Sequence, residues 1–371
     1  MFGTILTSIV TLFHLYVVWR VSSIPLINRR ISRRTIASAG GVMWGLFLFG
    51  RLYGHDNPGR LAGAFEFFSM NWMATLFLCA FCFLCVDLLT GFGRLWSRNI
   101  AALRTLALSL GLLLTGVALV QGMRAPVISN HVVALDGLPS QLEGTVIVAV
   151  SDLHLGSLLD EKWLAARVAQ IEAAKPDLIV LLGDIYEGHG DPAPGLRTEL
   201  ARLKAPFGVW GVLGNHESYR GEDLSSEVFS GNGFTLLRNR WAEVDAGLVL
   251  VGVDDLTRNR RNGNGHALLQ QALAGRPEGA AILLSHSPLY ADVAADAGIG
   301  LMLSGHTHGG QLWPFNYLVQ QYYPLLAGEY QSGGMTVLVG RGTGTWGPRM
   351  RLWAPAEIMR ITLQAALRSA P

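Results

Sequence analysis

Val146-Ile147-Val148-Ala149-Val150, followed at once by Ser151-Asp152-Leu153-His154, is the stretch that decides how this chain folds. A short apolar, β-branched run bounded by polar turn residues reads as a buried strand. It delivers a carboxylate and an imidazole as soon as it ends. The same pattern recurs four times downstream. Leu178–Leu182 precedes Gly183-Asp184, and Val209–Leu213 precedes Gly214-Asn215-His216-Glu217. Ala281–Leu284 precedes Ser285-His286-Ser287, and Leu301–Leu303 precedes Ser304-Gly305-His306-Thr307-His308. Trp163–Ala174 has helical spacing between the first two runs, so the region opens as a β-α-β unit of an α/β domain.

Upstream the chain changes in kind. Hydrophobic residues make up 50% of the 371 and charged residues only 15%, against about 25% charged in soluble domains. The apolar excess lies before residue 125. Met1–Trp19, Thr35–Gly50, Asn71–Phe92 and Ala101–Met123 each approach the ~20 residues that a spanning helix needs, the second being short and glycine-rich. Residues 1–125 therefore read as a membrane domain of about four transmembrane helices, and 126–371 as the α/β domain. The first stretch lacks a basic start and an Ala-x-Ala-like cleavage site, and Arg20 follows its apolar core, so it reads as a retained span.

Arginines set the expected orientation, because cytoplasmic loops collect them. Arg20, Arg29, Arg30, Arg33 and Arg34 follow the first stretch, and Arg94, Arg98 and Arg104 follow the third. Four spans would then place the second domain outside the cytoplasm at the cell (inner) membrane; loss of the second span would reverse that. Asp87, late in the third stretch, reads as reaching the interface near Arg94. Cys79, Cys82 and Cys85 read as membrane-buried thiols. A net charge of +2, without a basic block carrying interleaved aromatics in the C-terminal two thirds, argues against nucleic acid as a partner.

Five strand ends supplying carboxylate, amide and imidazole without thiolate suit manganese, iron or zinc. Two such ions about 3.5–4 Å apart can grip a phosphoryl group and activate a water between them. Such a pair needs a shared carboxylate. Asp184 is the candidate bridge, since Gly183 permits close backbone approach. His306 and His308, two apart, would diverge in an extended backbone, but the turn from Gly305 to Gly310 lets them reach different ions.

Asp152-Leu153-His154, Gly183-Asp184, Gly214-Asn215-His216-Glu217, His286 and Gly305-His306-Thr307-His308, in that order, resemble the calcineurin-like metallophosphoesterase superfamily over about residues 145–310. Each piece alone is common; five in order are specific. Gly309-Gly310-Gln311 and Gly340-Arg341-Gly342-Thr343-Gly344-Thr345-Trp346-Gly347-Pro348 are similar to its membrane-associated bacterial branch. The resemblance implies a four-layer α/β/β/α sandwich. It also implies one metal on Asp152, His154 and His308, a second on Asn215, His286 and His306, and Asp184 between them. His216 would be the catalytic histidine, stabilising phosphoryl charge and protonating the leaving oxygen.

The function expected is hydrolysis of a phosphate ester or pyrophosphate, on a phosphorylated small molecule or a lipid-linked or envelope substrate, with membrane lipids as partners. The alternative is a non-catalytic membrane receptor for a phosphorylated ligand. A related class cleaves nucleotide-linked acylated sugars on the cytoplasmic side, which the arginine asymmetry argues against here. Arg341 is a candidate contact for substrate phosphate. Glu217 and His189 could orient His216, support the metal ligands from behind, or simply be solvated. The aromatic run from Trp313 to Leu326 reads either as a lid for an acyl or polyprenyl chain or as packing over the sheet edge.

Overall fold

The computed structural model describes residues 2–54, 57, 59–187, 193–220, 227–257 and 263–366. The chain divides into two compact units. The first comprises Met1–Met123 with Gly347–Leu352, and the second Arg124–Trp346 with Trp353–Pro371.

Among the described residues, four long helices build the first unit: α1 (Phe2–Val21), α2 (Arg33–Phe49), α3 (Arg60–Leu89) and α4 (Ile100–Gly122). All four are long and apolar enough to cross a membrane. The glycine-rich second stretch gains length at both ends. Ser32 caps its start by accepting the amide of Thr35, and a π-helical turn carries it on to Gly54, giving 22 residues. α3 starts well before the apolar run that announced it and reaches 30 residues.

Asp87 corrects one expectation. Its carboxylate is fully buried and lies 2.6 Å from the Arg20 guanidinium, not at an interface beside Arg94. The Tyr16 hydroxyl donates to the same carboxylate, and Arg104 stands 4.0 Å away. A buried charge must be paired, so this cluster ties α1, α3 and α4 together. Cys79 and Cys82 sit unbonded in the apolar core of the bundle and Cys85 is half-buried.

The second unit holds two six-stranded sheets. In the first, β1 (Val127–Leu135) pairs with β12 (Glu357–Ala365), followed by β2 (Val146–Val150), β3 (Leu178–Leu181), β4 (Val209–Gly211) and β5 (Thr235–Leu236). In the second the order is β10 (Gly328–Ser332), β11 (Met335–Val339), β9 (Leu301–Ser304), β8 (Ala280–Leu284), β7 (Leu248–Gly252) and β6 (Arg240–Asp245). The inner strands β2, β3 and β4 run parallel in one sheet, and β7, β8, β9 and β11 in the other.

Side-chain alternation then fixes the layers. Ile147 and Ala149 join Leu178 and Val180 in a core shared with Leu250, Ile282, Leu303 and Leu338 of the other sheet. Val146, Val148 and Val150 point the opposite way, onto α5 (Glu161–Ala173) and α6 (Pro194–Leu200). On the far side, Val249, Val251 and Leu283 pack against the helices Gly265–Leu273 and Ala291–Asp296. Helix, sheet, sheet and helix are stacked in that order, the four-layer α/β/β/α sandwich expected. The donor-bearing strands belong to two facing sheets, β2, β3 and β4 to one and β8 and β9 to the other.

Candidate metal centre

Each donor loop continues the ladder of the strand before it, so its direction is set by the sheet. Past β2 and β3, the amide of Asp152 donates to Gly183 O (3.0 Å) and that of His154 to Asp184 O (3.0 Å). Between β8 and β9, the Gly305 amide donates to His286 O (2.9 Å). The backbone then turns sharply at the donors. Asp152, His154, Asp184, His306 and His308 all have φ between +46° and +70°, a left-handed conformation costing a non-glycine residue roughly 1–3 kcal/mol that clusters at functional sites. Gly183 (φ +88°) is obligatory: a Cβ there would stand 2.5 Å from Gly214 N and 2.9 Å from His286 Nδ1.

Three groups of donors converge, each with its ligating atoms within 4.8 Å of one another: Asp152, His154 and His308; Asp184, His286 and His306; and His154, Asp184 and His216. Asp184 faces both sides. Its Oδ2 lies 3.2 Å from His286 Nε2 and 3.9 Å from His154 Nε2. On one side His308 Nε2 is 3.4 Å from Asp152 Oδ1 and 3.2 Å from His154 Nε2. On the other, His306 Nδ1 and Asn215 Oδ1 are each 3.1 Å from His286 Nε2.

Hydrogen bonds behind the rings choose which nitrogen faces inward. His286 Nδ1 donates to Leu182 O (2.7 Å) and His154 Nδ1 to Glu187 (2.6 Å), while His306 Nε2 is hydrogen-bonded to the Tyr323 hydroxyl (2.8 Å). In the neutral ring the opposite nitrogen of each can carry an inward lone pair, the arrangement in which ligating histidines are held. Nitrogen atoms crowded to 3.1–3.2 Å beside buried carboxylates, with no sulfur among them, fit two borderline divalent ions.

Charge follows burial and partners. Burial alone would raise Asp152 and Asp184, yet the histidines around them hold both below the usual carboxylate range, His308 chiefly for the first and His286 for the second. His306 goes down to about 4, through burial and then through the charge of His286. His216 moves the other way, to about 9, because Asp184 and Glu187 outweigh its burial.

His216 and its neighbours resolve several sequence-level alternatives. Glu187, which the motif reading missed, accepts from His154 (2.6 Å) and from His216 Nδ1 (3.1 Å), joining a metal-site histidine to the catalytic candidate. Its signal was a second carboxylate three residues after Asp184 in the same turn. Glu217 is buried and accepts the amides of Asp184, Ile185 and Gly214 at 2.7–2.8 Å, pinning two donor loops together. His189 lies outside the described residues. Arg341 is engaged with Glu357, through Nη2 (2.8 Å) and its backbone amide (3.1 Å).

The loop after β11 walls the centre. Thr343 and Gly344 amides donate to Ser151 O (2.8 Å) and Asp152 O (2.9 Å), and the Trp346 ring stands edge-on to His216 with centroids 6.4 Å apart.

The profile described as calcineurin-like phosphoesterase matches residues 145–310. A Bos taurus transmembrane protein with metallophosphoesterase domain is 33% identical over 292 residues, covering 73% of this chain and 64% of that protein. The Danio rerio protein of the same description is 31% identical over 296 residues (74% and 68%). An uncharacterized metallophosphoesterase of Aquifex aeolicus is 32% identical over 247 residues (64% and 91%). These relatives thus include vertebrate transmembrane proteins and a bacterial protein. With its donor loops and its relatives in agreement, the chain belongs to the calcineurin-like metallophosphoesterase family.

Proposed function

We propose that this chain is a membrane-anchored phosphohydrolase using two divalent metal ions, manganese, iron or zinc, to cleave phosphate ester or pyrophosphate bonds. The observation that carries the reading is Asp184, whose Oδ2 lies 3.2 Å from His286 and 3.9 Å from His154, one donor of each proposed ion site. Asp152, His154 and His308 would hold one ion and Asn215, His286 and His306 the other. When bound, the pair supplies water activation and neutralises phosphoryl charge. The chain's own residues do the rest. His216, held through its Nδ1 by Glu187, would donate its Nε2 proton to the departing oxygen. Glu217 keeps the Asp184 and Asn215 loops at fixed separation, so the site needs little reorganisation.

The arginine-rich connections support an extracytoplasmic catalytic domain at the inner membrane, and a lipid-linked or envelope substrate accords with the anchor. Arg341, already bonded to Glu357, would contact substrate phosphate only with its remaining N–H groups.

Detergent-purified full chain, stripped of metal and then re-supplied, should regain turnover of bis-p-nitrophenyl phosphate or p-nitrophenyl phosphate, their ratio separating diester from monoester preference. No turnover with manganese, iron or zinc would sink the catalytic reading. An impermeant amine reagent should reach exposed Lys162 in intact cells; labelling only after lysis would reverse the orientation.

A further inference from the structure

After Asn215–Arg220 (α7), Gly265–Leu273 (α8) and Ala291–Asp296 (α9), the helix α10 (Phe315–Tyr322) follows directly on the metal-site turn. None of its eight residues is buried. At 100° per residue, Asn316 and Val319 turn toward the domain. Phe315, Leu318 and Tyr322 form one apolar stripe, exposed by 40%, 58% and 71%. Gln320, Gln321 and Tyr317, itself 59% exposed, lie on the remaining side. From Gly309 to Gly328 the chain has no charged residue, and Trp353, 60% exposed, extends the apolar surface by packing its ring 5.0 Å from that of Trp313.

We infer that α10 is an interfacial helix whose stripe seats in the headgroup-to-acyl boundary of a lipid bilayer. Three observations favour lipid over another protein surface. Phe, Tyr and Trp without charge is the composition of interfacial belts. Only four residues, 123–126, separate the end of α4 from the first strand, a tether of at most ~14 Å that keeps this domain beside the bilayer holding the spans. The helix also ends against the metal centre, for Tyr323, the next residue, meets His306 Nε2 at 2.8 Å. A headgroup gathered along α10 therefore lies one side chain away from the donors. This deepens the phosphohydrolase reading and rests on it for one consequence: the substrate is a phosphoester or pyrophosphate of an amphiphile, presented at the membrane surface.

The test is photocrosslinking of the full chain in nanodiscs of phosphatidylcholine with phosphatidylglycerol. p-Benzoylphenylalanine replaces Leu318, Tyr322 or, as a control, Val132, which is 61% exposed on β1. Lipid adducts at 318 and 322, several-fold above those at 132, are expected by mass spectrometry. Adducts no greater than at 132 overturn the inference, as do crosslinks from 318 or 322 to a second copy of the chain. Metal-supported turnover of bis-p-nitrophenyl phosphate by the same preparations reports on the phosphohydrolase reading separately, since none of the three positions belongs to the metal centre.

Discussion

Asp184→Asn is expected to lower metal-supported turnover roughly 10³-fold or more, the largest effect of any single substitution. Weakening the environment of one metal ligand already costs about 10–100-fold, and Asp184 serves two donor groups at once, so its loss acts on both. Asparagine keeps the size and the acceptor oxygen. It keeps, in particular, the bond from the His216 amide to Asp184 Oδ1 (2.8 Å), so the backbone frame should survive. Steady-state kinetics beside a thermal melt checks this. A variant that melts like the wild type and retains more than a tenth of its turnover would remove Asp184 from the bridging position.

His216→Gln is expected to reduce kcat by roughly 10²–10⁴, the range for loss of a positioned acid, while leaving metal content unchanged. The loss should be smaller on p-nitrophenyl esters, whose leaving group departs without help, than on an alkyl phosphoester. Equal losses on both would point to charge stabilisation rather than proton donation. The same variant carries a pH signature in the metal-free protein. The imidazole rises from its ordinary 6.5 to about 9 in the fold, so its stabilisation is complete below pH 6.5 and is lost as pH climbs through 9. Wild type should lose melting temperature relative to His216→Gln across that window. Parallel curves would contradict the pairing with Asp184 and Glu187.

Much of this centre was legible in the chain because strand ends announce it. An apolar run that stops at Asp, Asn or His leaves a donor at the C-terminal edge of a parallel sheet, where ligand-binding groups gather. Glu187 was not legible in the same way. It follows Asp184 in an irregular turn, and only the folded position of His216 shows what it is for. Tyr323 was visible only as one member of an aromatic run, since its bond to His306 joins loops that hydropathy does not connect.

The division into two sheets was hidden for a related reason. Strands buried on both faces, such as Val146–Val150 and Ala280–Leu284, show no polar alternation, so nothing marks which face looks inward. The pairing of Val127 with Glu357 joins segments too distant in sequence for local pattern to reveal. In the bundle, helix lengths ran beyond the apolar windows. Asp87 was set near the wrong arginine because one-dimensional proximity to Arg94 says nothing of a partner on another helix.

The most direct measurement of the central claim is the number of ions per chain, read by inductively coupled plasma mass spectrometry on metal-resupplied, desalted protein, wild type beside Asp184→Asn. Two ions per chain in the wild type, with fewer in the variant, is the predicted result, because the two donor groups share that carboxylate. A wild type that is fully active with one ion, or a variant that keeps both, would contradict it.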